Sequence, residues 1–513
     1  MHQHPMTAPL HNHKDLRTLL LCALYAFVLL FFLSPDSYLR DIFYRCDSAI
    51  FFMCGKAWMN GMTPYVDFAD SKGPLLWLIY GIGYLLNHHS YVGVFWISIL
   101  FYTATLYIAC KLSRLFLEPR PSALCVALLP FALFYRWVNS EIRAEDFCYP
   151  FIMFCFYALC RIIKEETLLK RTYIWLCAGI GICFMACLLM KWNVAAMIGG
   201  PMLCVFILSF KHKVWGICIG SMIAGAVVLA LPFFIYFLAF ADFSTFIQEY
   251  FVNTYLTMEG RTSILDTLTF DQYMLTKERP TIVLLVCMLI FCWRYKRYAW
   301  LIVCYFIFRI GMGRASIYYY FSILTPFFIF FLLAAIDFFY SRWPKIIHRL
   351  TPGCCLLAAI MIGLYHIRAV NYSSSIAAQE RQKYYEAAYV MSQVKKPRIM
   401  NFNQETGKGT PVDALPACRY WTGQNGMTEE MRIQREQAVR DRIPDFVVVV
   451  AGSKDVNAGA RVMAAGYIPY VHSISHYKED TFTLYGRPGL KLPPEDFHVS
   501  QWDVWLKRNI FGI

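Results

Sequence analysis

Ionisable residues crowd into a few short stretches of a chain that is otherwise mostly apolar. YRCDSAIFF (44–52) carries Arg45 and Asp47, and DFADSKGP (67–74) carries Asp67, Asp70 and Lys72. NSEIRAEDF (139–147) adds Glu141, Arg143, Glu145 and Asp146, and LLMKWN sets Lys191 directly after an apolar run. Arg309 and Arg314 flank IGMG ahead of the aromatic run YYYF. Taken singly, such residues have ordinary explanations, since interfacial Lys and Arg snorkel to water and carboxylates solvate loops. Together they put several cations and carboxylates at the edges of apolar segments, where ionisable groups are costly and usually functional. Cations can hold a phosphate and stabilise charge as it departs. A carboxylate within hydrogen-bond reach can turn a hydroxyl into a nucleophile. The combination suits transfer from a lipid-linked phosphate donor to an acceptor hydroxyl.

The elements that must position these residues are membrane helices. Of 513 residues, 58% are hydrophobic and 16% charged, against about a quarter charged in soluble domains. The formal charge of +14 is spread between apolar runs and forms no single basic stripe, so nucleic acid is not an expected partner. Apolar runs fall near 17–34, 91–110, 121–138, 147–163, 173–190, 194–210, 214–240, 281–293, 298–313, 315–336 and 352–367, which predicts about eleven spans. The first run lacks a small-residue cleavage site and reads as an uncleaved span behind a cytoplasmic tail, 1–16.

One apolar run, 74–87, is ambiguous, and the basic clusters decide it. These are Lys14/Arg17, Lys111/Arg114/Arg120, Arg161/Lys164/Lys170/Arg171, Lys211/Lys213, Arg294/Lys296/Arg297 and Arg342/Lys345/Arg349. If 74–87 does not cross, every cluster falls on the cytoplasmic side. If it crosses, all but the first move outside, against the positive-inside rule. The run is also short, and Gly81 and Gly83 weaken it as a helix. It is therefore expected to lie at the outer interface, with Trp77 and Tyr80 at headgroup depth. Residues 35–90 then form a long outer loop with interfacial helices, and the N-terminus is inside and the C-terminus outside.

From residue 368 the composition changes. SIAAQERQKYYEAAYVMSQVKK and MTEEMRIQREQAVRDR read as helices, the second starting near Thr428 and Glu429. RIMNFN, DFVVVVAG and DTFTLYGRPG read as strands, so 368–513 is expected to be a small extracytoplasmic α/β domain. NFNQETGKGTPVD has glycines without the spacing of a phosphate loop, which favours a structural or acceptor-positioning role. Most of the nineteen cysteines lie inside apolar runs as small buried hydrophobes. Cys46, Cys54 and Cys418 are expected to face outward.

These residues resemble the GT-C superfamily of membrane glycosyltransferases, nearest to the protein O-mannosyltransferases and lipid A aminoarabinose transferases. The likeness rests on the early acid Asp47, the run Lys72-Gly73-Pro74-Leu75 set against KPPL, the acidic second loop, Lys191 after its span, and the Arg314 to Pro326 stretch. LPACRYWTGQN is similar to tails of bacterial members. Two positions depart from the pattern. Ser48 follows Asp47 where many relatives have a second acid, and Gly73 replaces the first proline.

The resemblance implies an inverting transferase that uses a polyprenyl-phosphate-linked sugar outside the cytoplasmic membrane, on a glycan, lipid or protein acceptor. It makes Asp47 the general base and Lys72, Arg143, Lys191 and Arg314 ligands of the donor phosphate. Asp70, Glu141, Glu145 and Asp146 would contact sugar or acceptor, or hold a divalent metal (Mg or Mn) in the manner of some relatives. Two other readings start from the same membrane topology. A flippase or transporter of lipid-linked glycans predicts paired internal repeats, and none stands out here. An O-antigen-type ligase or polymerase, as the resemblance would have it, carries its large loop late in the chain, whereas here the largest is early.

Overall fold

The computed structural model describes residues 13–34, 37, 47–133, 143–165, 168–257, 279–312, 323–324, 326–345, 353, 357, 360–361, 364, 378–402, 409–423, 427–450, 457–473 and 481–491. Its membrane part is a helical bundle. The helices are α1 (His13–Leu33), α2 (Asp47–Met59), α3 (Pro74–Leu86), α4 (Val92–Ser113), α5 (Pro119–Leu133), α6 (Ala144–Lys164), α7 (Lys170–Leu188), α8 (Trp192–Lys211) and α9 (Trp215–Ala239). Three later helices, Arg279–Arg294, Trp300–Met312 and Phe328–Arg342, pack among them. Among the described residues, six helices are long and apolar enough to cross a membrane: α1, α4, α6, α7, α8 and α9. The other expected spans fall on shorter helices or largely outside the described residues. On α9, Val228, Leu231, Ile235 and Leu238 are exposed, as a lipid-facing surface requires.

The ambiguous run is α3. At 13 residues it is about 20 Å long, short of the roughly 30 Å hydrocarbon core. Bundle geometry agrees with this. Asp15, at the start of α1, bonds Lys111 at the end of α4 at 2.6 Å, and Arg114 Nη2 donates to Thr18 Oγ1 at 3.0 Å. The start of α1 and the end of α4 therefore share one end of the bundle. If α1 and α4 each cross a membrane once, the chain between them makes an even number of crossings, and a non-crossing α3 meets that requirement.

The interior of this region differs from the expectation in an instructive way. Trp77 and Tyr80 are fully buried: Trp77 lies against Tyr65 and Phe68, and Tyr80 against Phe51 and Phe147. They face protein, not lipid headgroups, and the exposed edge of α3 is Ile82, Leu85 and Leu86. Gly81 and Gly83 are contact points more than weak points. A Cβ on Gly55 would lie 2.4 Å from Gly81 N, and one on Gly83 would lie 2.6 Å from Val94 Cγ2. Small residues let α2 and α4 close onto the α3 backbone. Cys54 is likewise buried rather than outward, because α2 packs along α3. Cys46 lies outside the described residues.

The C-terminal part holds a five-stranded sheet in the order β2-β1-β3-β5-β4, formed by β1 (Arg398–Asn401), β2 (Leu415–Pro416), β3 (Phe446–Val450), β4 (Ile468–Ser473) and β5 (Phe482–Gly486). Strands β2, β1 and β3 run parallel, and β5 and β4 join antiparallel. Helices Ala378–Ser392 and Glu429–Arg440 stand where the sequence predicts them, and Thr428 caps the second by accepting from Met431 N–H at 3.4 Å. Two strands, β2 and β4, and the helix Ala458–Ala464 are additional to the sequence expectation. β2 is two residues long, and β4 begins with exposed positions, so neither shows the periodicity that marks a strand.

Candidate active site

Four backbone segments meet at the end of the bundle opposite Asp15 and Lys111. They are the first turn of α2, the loop 63–73, the start of α6 and the turn between α7 and α8. Asp47 opens α2, where a carboxylate suits the positive end of the helix dipole. Arg143 precedes α6, and its backbone N–H donates to Asp146 Oδ2 at 2.8 Å. Lys191 sits in the short turn that reverses α7 into α8, its own N–H held by Cys187 O at 2.7 Å. This turn also seats the loop. Gly73 N–H donates to Met190 O at 3.0 Å and Leu75 N–H to Leu189 O at 2.9 Å. A Cβ on Gly73 would lie 2.1 Å from Leu189 O, and a proline there would have no N–H to give. The departure from the proline pattern thus has a local cause.

The loop is held in a conformation it would not choose alone. Buried Tyr65 has φ of 65°, a left-handed backbone that costs of order 1–3 kcal/mol for such a residue. Its ring packs on Trp77, Phe237, Phe246 and Tyr250, and its hydroxyl donates to Lys72 O at 2.9 Å. Asp67 accepts from Thr63 N–H at 2.7 Å, closing the turn. That bond gives Asp67 a structural task in the turn.

The side chains then pair. Arg143 Nε lies 4.0 Å from Asp47 Oδ2, too far for a direct hydrogen bond but within Coulombic reach. Lys191 Nζ donates to Glu145 Oε1, both side chains being buried or nearly so. Asp146 Oδ1 accepts from Tyr102 OH at 3.0 Å. Lys72 donates to Ser71 Oγ at 2.9 Å and lies over the Phe51 ring, 5.6 Å from its centroid. Asp70 is buried, and its Oδ2 has no hydrogen-bond partner among the described residues. Burial pushes the Asp70 carboxyl up from the usual range; Lys72 and the backbone N–H of Ser71 oppose this without overcoming it, and the nearby Asp47 charge adds to the rise.

Of the residues singled out by sequence, Asp47, Asp70, Lys72, Arg143, Glu145, Asp146 and Lys191 come together here. Glu141 and Arg314 lie outside the described residues. Arg309 is buried on Trp300–Met312. Four residues of this region escape a sequence reading. Glu249 lies in a π-helical turn, Ile247–Asn253, of a kind frequent at functional sites. Lys56 hides inside the apolar stretch of α2, and Arg419 and Tyr420 stand within LPACRYWTGQN. That last motif carried a signal, but nothing local said what it would touch.

As a metal site the described donors do not assemble. Among the described residues no group of three or more His, Cys, Asp or Glu side chains is placed to hold an ion. Asp47 faces Arg143, Glu145 faces Lys191, and Asp146 faces Tyr102.

Asp70 gives a linked prediction on stability and activity. Its folded pKa stands above the unfolded value, so stability falls as pH rises from the ordinary carboxylate range through the raised pKa. Asp70→Asn removes that term. It is expected to match or exceed the wild type in thermal unfolding at pH 7 while losing activity. The stability gap should narrow as the pH is lowered through the raised pKa of Asp70, and a gap independent of pH would refute the assignment.

The bundle, the short helices α2 and α3 and the C-terminal α/β part share their overall fold with solved structures. Among solved structures, the chain is similar to ArnT from Cupriavidus metallidurans bound to undecaprenyl phosphate, with a TM-score of 0.62 at 12% identity over 93% of this chain and 99% of that one. The apo state of the same protein aligns with a TM-score of 0.58 at 11% identity over 92% of this chain and 98% of that one. A looser alignment, with a TM-score of 0.45 at 11% identity, relates 94% of this chain to 75% of the oligosaccharyltransferase AglB from Archaeoglobus fulgidus. No protein-family model and no curated protein sequence matches the chain.

Proposed function

We propose that the chain is a glycosyltransferase that moves a sugar from a polyprenyl-phosphate donor to an acceptor hydroxyl, with inversion, at the outer face of the cytoplasmic membrane. The observation that carries the reading is the convergence of Asp47 and Asp70 with Lys72, Arg143 and Lys191 at one end of the bundle. The fold it occurs on is shared with a solved complex of undecaprenyl phosphate.

In this mechanism Lys72, Arg143 and Lys191, joined by Arg314, hold the donor phosphate. Asp47 takes the proton of the acceptor hydroxyl as its oxygen attacks the anomeric carbon. The bond from that carbon to the phosphate oxygen breaks, and the electron pair leaves with the polyprenyl phosphate, whose charge the cations stabilise. A single displacement inverts the anomeric centre. Asp70, Glu145, Asp146 and Glu141 orient sugar and acceptor, and Glu145 additionally aims the Lys191 ammonium.

The topology in this reading puts 1–16 in the cytoplasm, 17–367 in the catalytic membrane domain and 368–513 outside. Support comes from the clustering of Lys111, Arg114, Arg161 and Lys164 at the end of the bundle away from the site: Lys164 donates to Leu115 O, just beyond the end of α4. Positive charge at that end favours a cytoplasmic position for it.

Undecaprenyl phosphate binding to the full chain in nanodiscs tests the reading. Lys72→Ala is expected to weaken binding about tenfold or more, and high salt to weaken it little because the cations are partly buried. Wild-type protein that does not bind this lipid, or binds it equally without Lys72, would rule the reading out.

A further inference from the structure

One stretch of the C-terminal part, 409–421, bonds the membrane part near both of its ends. At its far end Arg419 grips the loop that carries Asp70 and Lys72. Arg419 O accepts from Ala69 N–H at 2.8 Å, and Arg419 Nε donates to Val66 O at 3.0 Å. The same guanidinium reaches Glu249 at 3.4 Å, and Tyr420 OH donates to that carboxylate at 2.7 Å. Glu249 is buried, and the next residue, Tyr250, donates its hydroxyl to Leu188 O at 2.7 Å, beside the seat of Gly73.

At the near end, Lys56 is completely buried on α2, about two and a half turns from Asp47. Its ammonium donates to Gly409 O at 2.9 Å, Thr410 O at 3.2 Å and Val412 O at 2.6 Å. Three donors thereby meet three carbonyls, and the faces of Phe52 and Tyr84 lie 5.5 and 5.9 Å away. Tyr91 OH pairs with Thr410 Oγ1 at 2.9 Å. Between the two grips the stretch forms β2, which pairs with β1 and fastens it to the sheet.

We propose that residues 409–421 are a strap that sets the donor site, with Arg419 the positioning residue for Asp70 and Lys72. The C-terminal domain is then a working part of the donor pocket, not a separate acceptor module. The loop needs such a strap because the left-handed backbone at Tyr65 stores strain that only outside contacts can hold. Beside the packing of the Tyr65 ring, the Arg419 guanidinium adds a contact at Val66 O, four residues before Asp70, and the Arg419 backbone carbonyl one at Ala69 N–H. The inference rests on the reading of Lys72 as a phosphate ligand.

The test uses the full chain in nanodiscs and undecaprenyl phosphate as the probe. Arg419→Ala is expected to weaken binding about tenfold when Lys72 is present and less than about twofold in a Lys72→Ala background. Arg419→Lys should recover little, since a single ammonium cannot reproduce the forked contacts. Hydrogen exchange should rise across 63–73 in Arg419→Ala while 446–450 stays protected. Equal loss in both backgrounds, or unchanged exchange at 63–73, would overturn the strap. If instead Lys72→Ala binds the lipid as well as wild type, the donor-site reading fails, and the exchange comparison alone decides whether 409–421 holds the loop.

Discussion

Asp47→Asn is expected to lower sugar transfer by about 10²–10⁴-fold, the range a positioned general base supplies, while leaving undecaprenyl phosphate binding within about twofold. The split between chemistry and binding is the diagnostic part. Asp47 lies 4.0 Å from Arg143, beyond a direct hydrogen bond, and amide substitution preserves its shape. A competing assignment exists, because Asp70 has a buried oxygen with no partner among the described residues. Burial and the loop N–H groups make Asp70 better suited to orienting a sugar hydroxyl than to receiving a proton and charge cycle. Single-turnover assays with a preloaded polyprenyl-phosphate sugar would separate the two. If Asp70→Asn abolishes the chemical step and Asp47→Asn only slows it a few-fold, the roles must be exchanged.

Much of this site was legible because membrane proteins restrict where charge can go. Asp47, Lys72, Arg143 and Lys191 stood out against apolar neighbours, and the basic clusters alone placed them on one side. The Asp15–Lys111 contact sets the start of α1 beside the end of α4, as that path requires. Other parts of the site were not legible, for identifiable reasons. Trp77 and Tyr80 look like interfacial aromatics by type, and only the packing of α2 and α6 around α3 turns them inward. Gly73 reads as a lost proline until the α7–α8 turn is seen to take its N–H. Lys56 bonds three backbone carbonyls and Arg419 one, all hundreds of residues away, and a carbonyl leaves no side-chain signature in a sequence. The sheet was visible where strands are buried, as in β3, and invisible where they are short or half-exposed, as in β2 and β4.

Lys191 and Glu145 should behave as one unit, and breaking it from either side should cost more than removing it. The Glu145 side chain is 3% exposed and that of Lys191 11%, so deleting the ammonium strands a carboxylate in a low-dielectric setting. Lys191→Ala is therefore expected to cost about 3–5 kcal/mol of stability, read as a large fall in the unfolding midpoint in detergent. The paired change Lys191→Met with Glu145→Gln removes both charges and keeps similar volumes, and it should regain most of that loss. Activity will not follow stability. The double variant retains the turn that seats Gly73 and Leu75, because those bonds run through the carbonyls of Leu189 and Met190, yet it lacks a cation proposed to face the donor phosphate. A stable, folded double variant with transfer reduced at least about a hundredfold is the expected result. If it transfers sugar normally, Lys191 is there only to neutralise Glu145, and the phosphate must be held by Lys72 and the arginines without it.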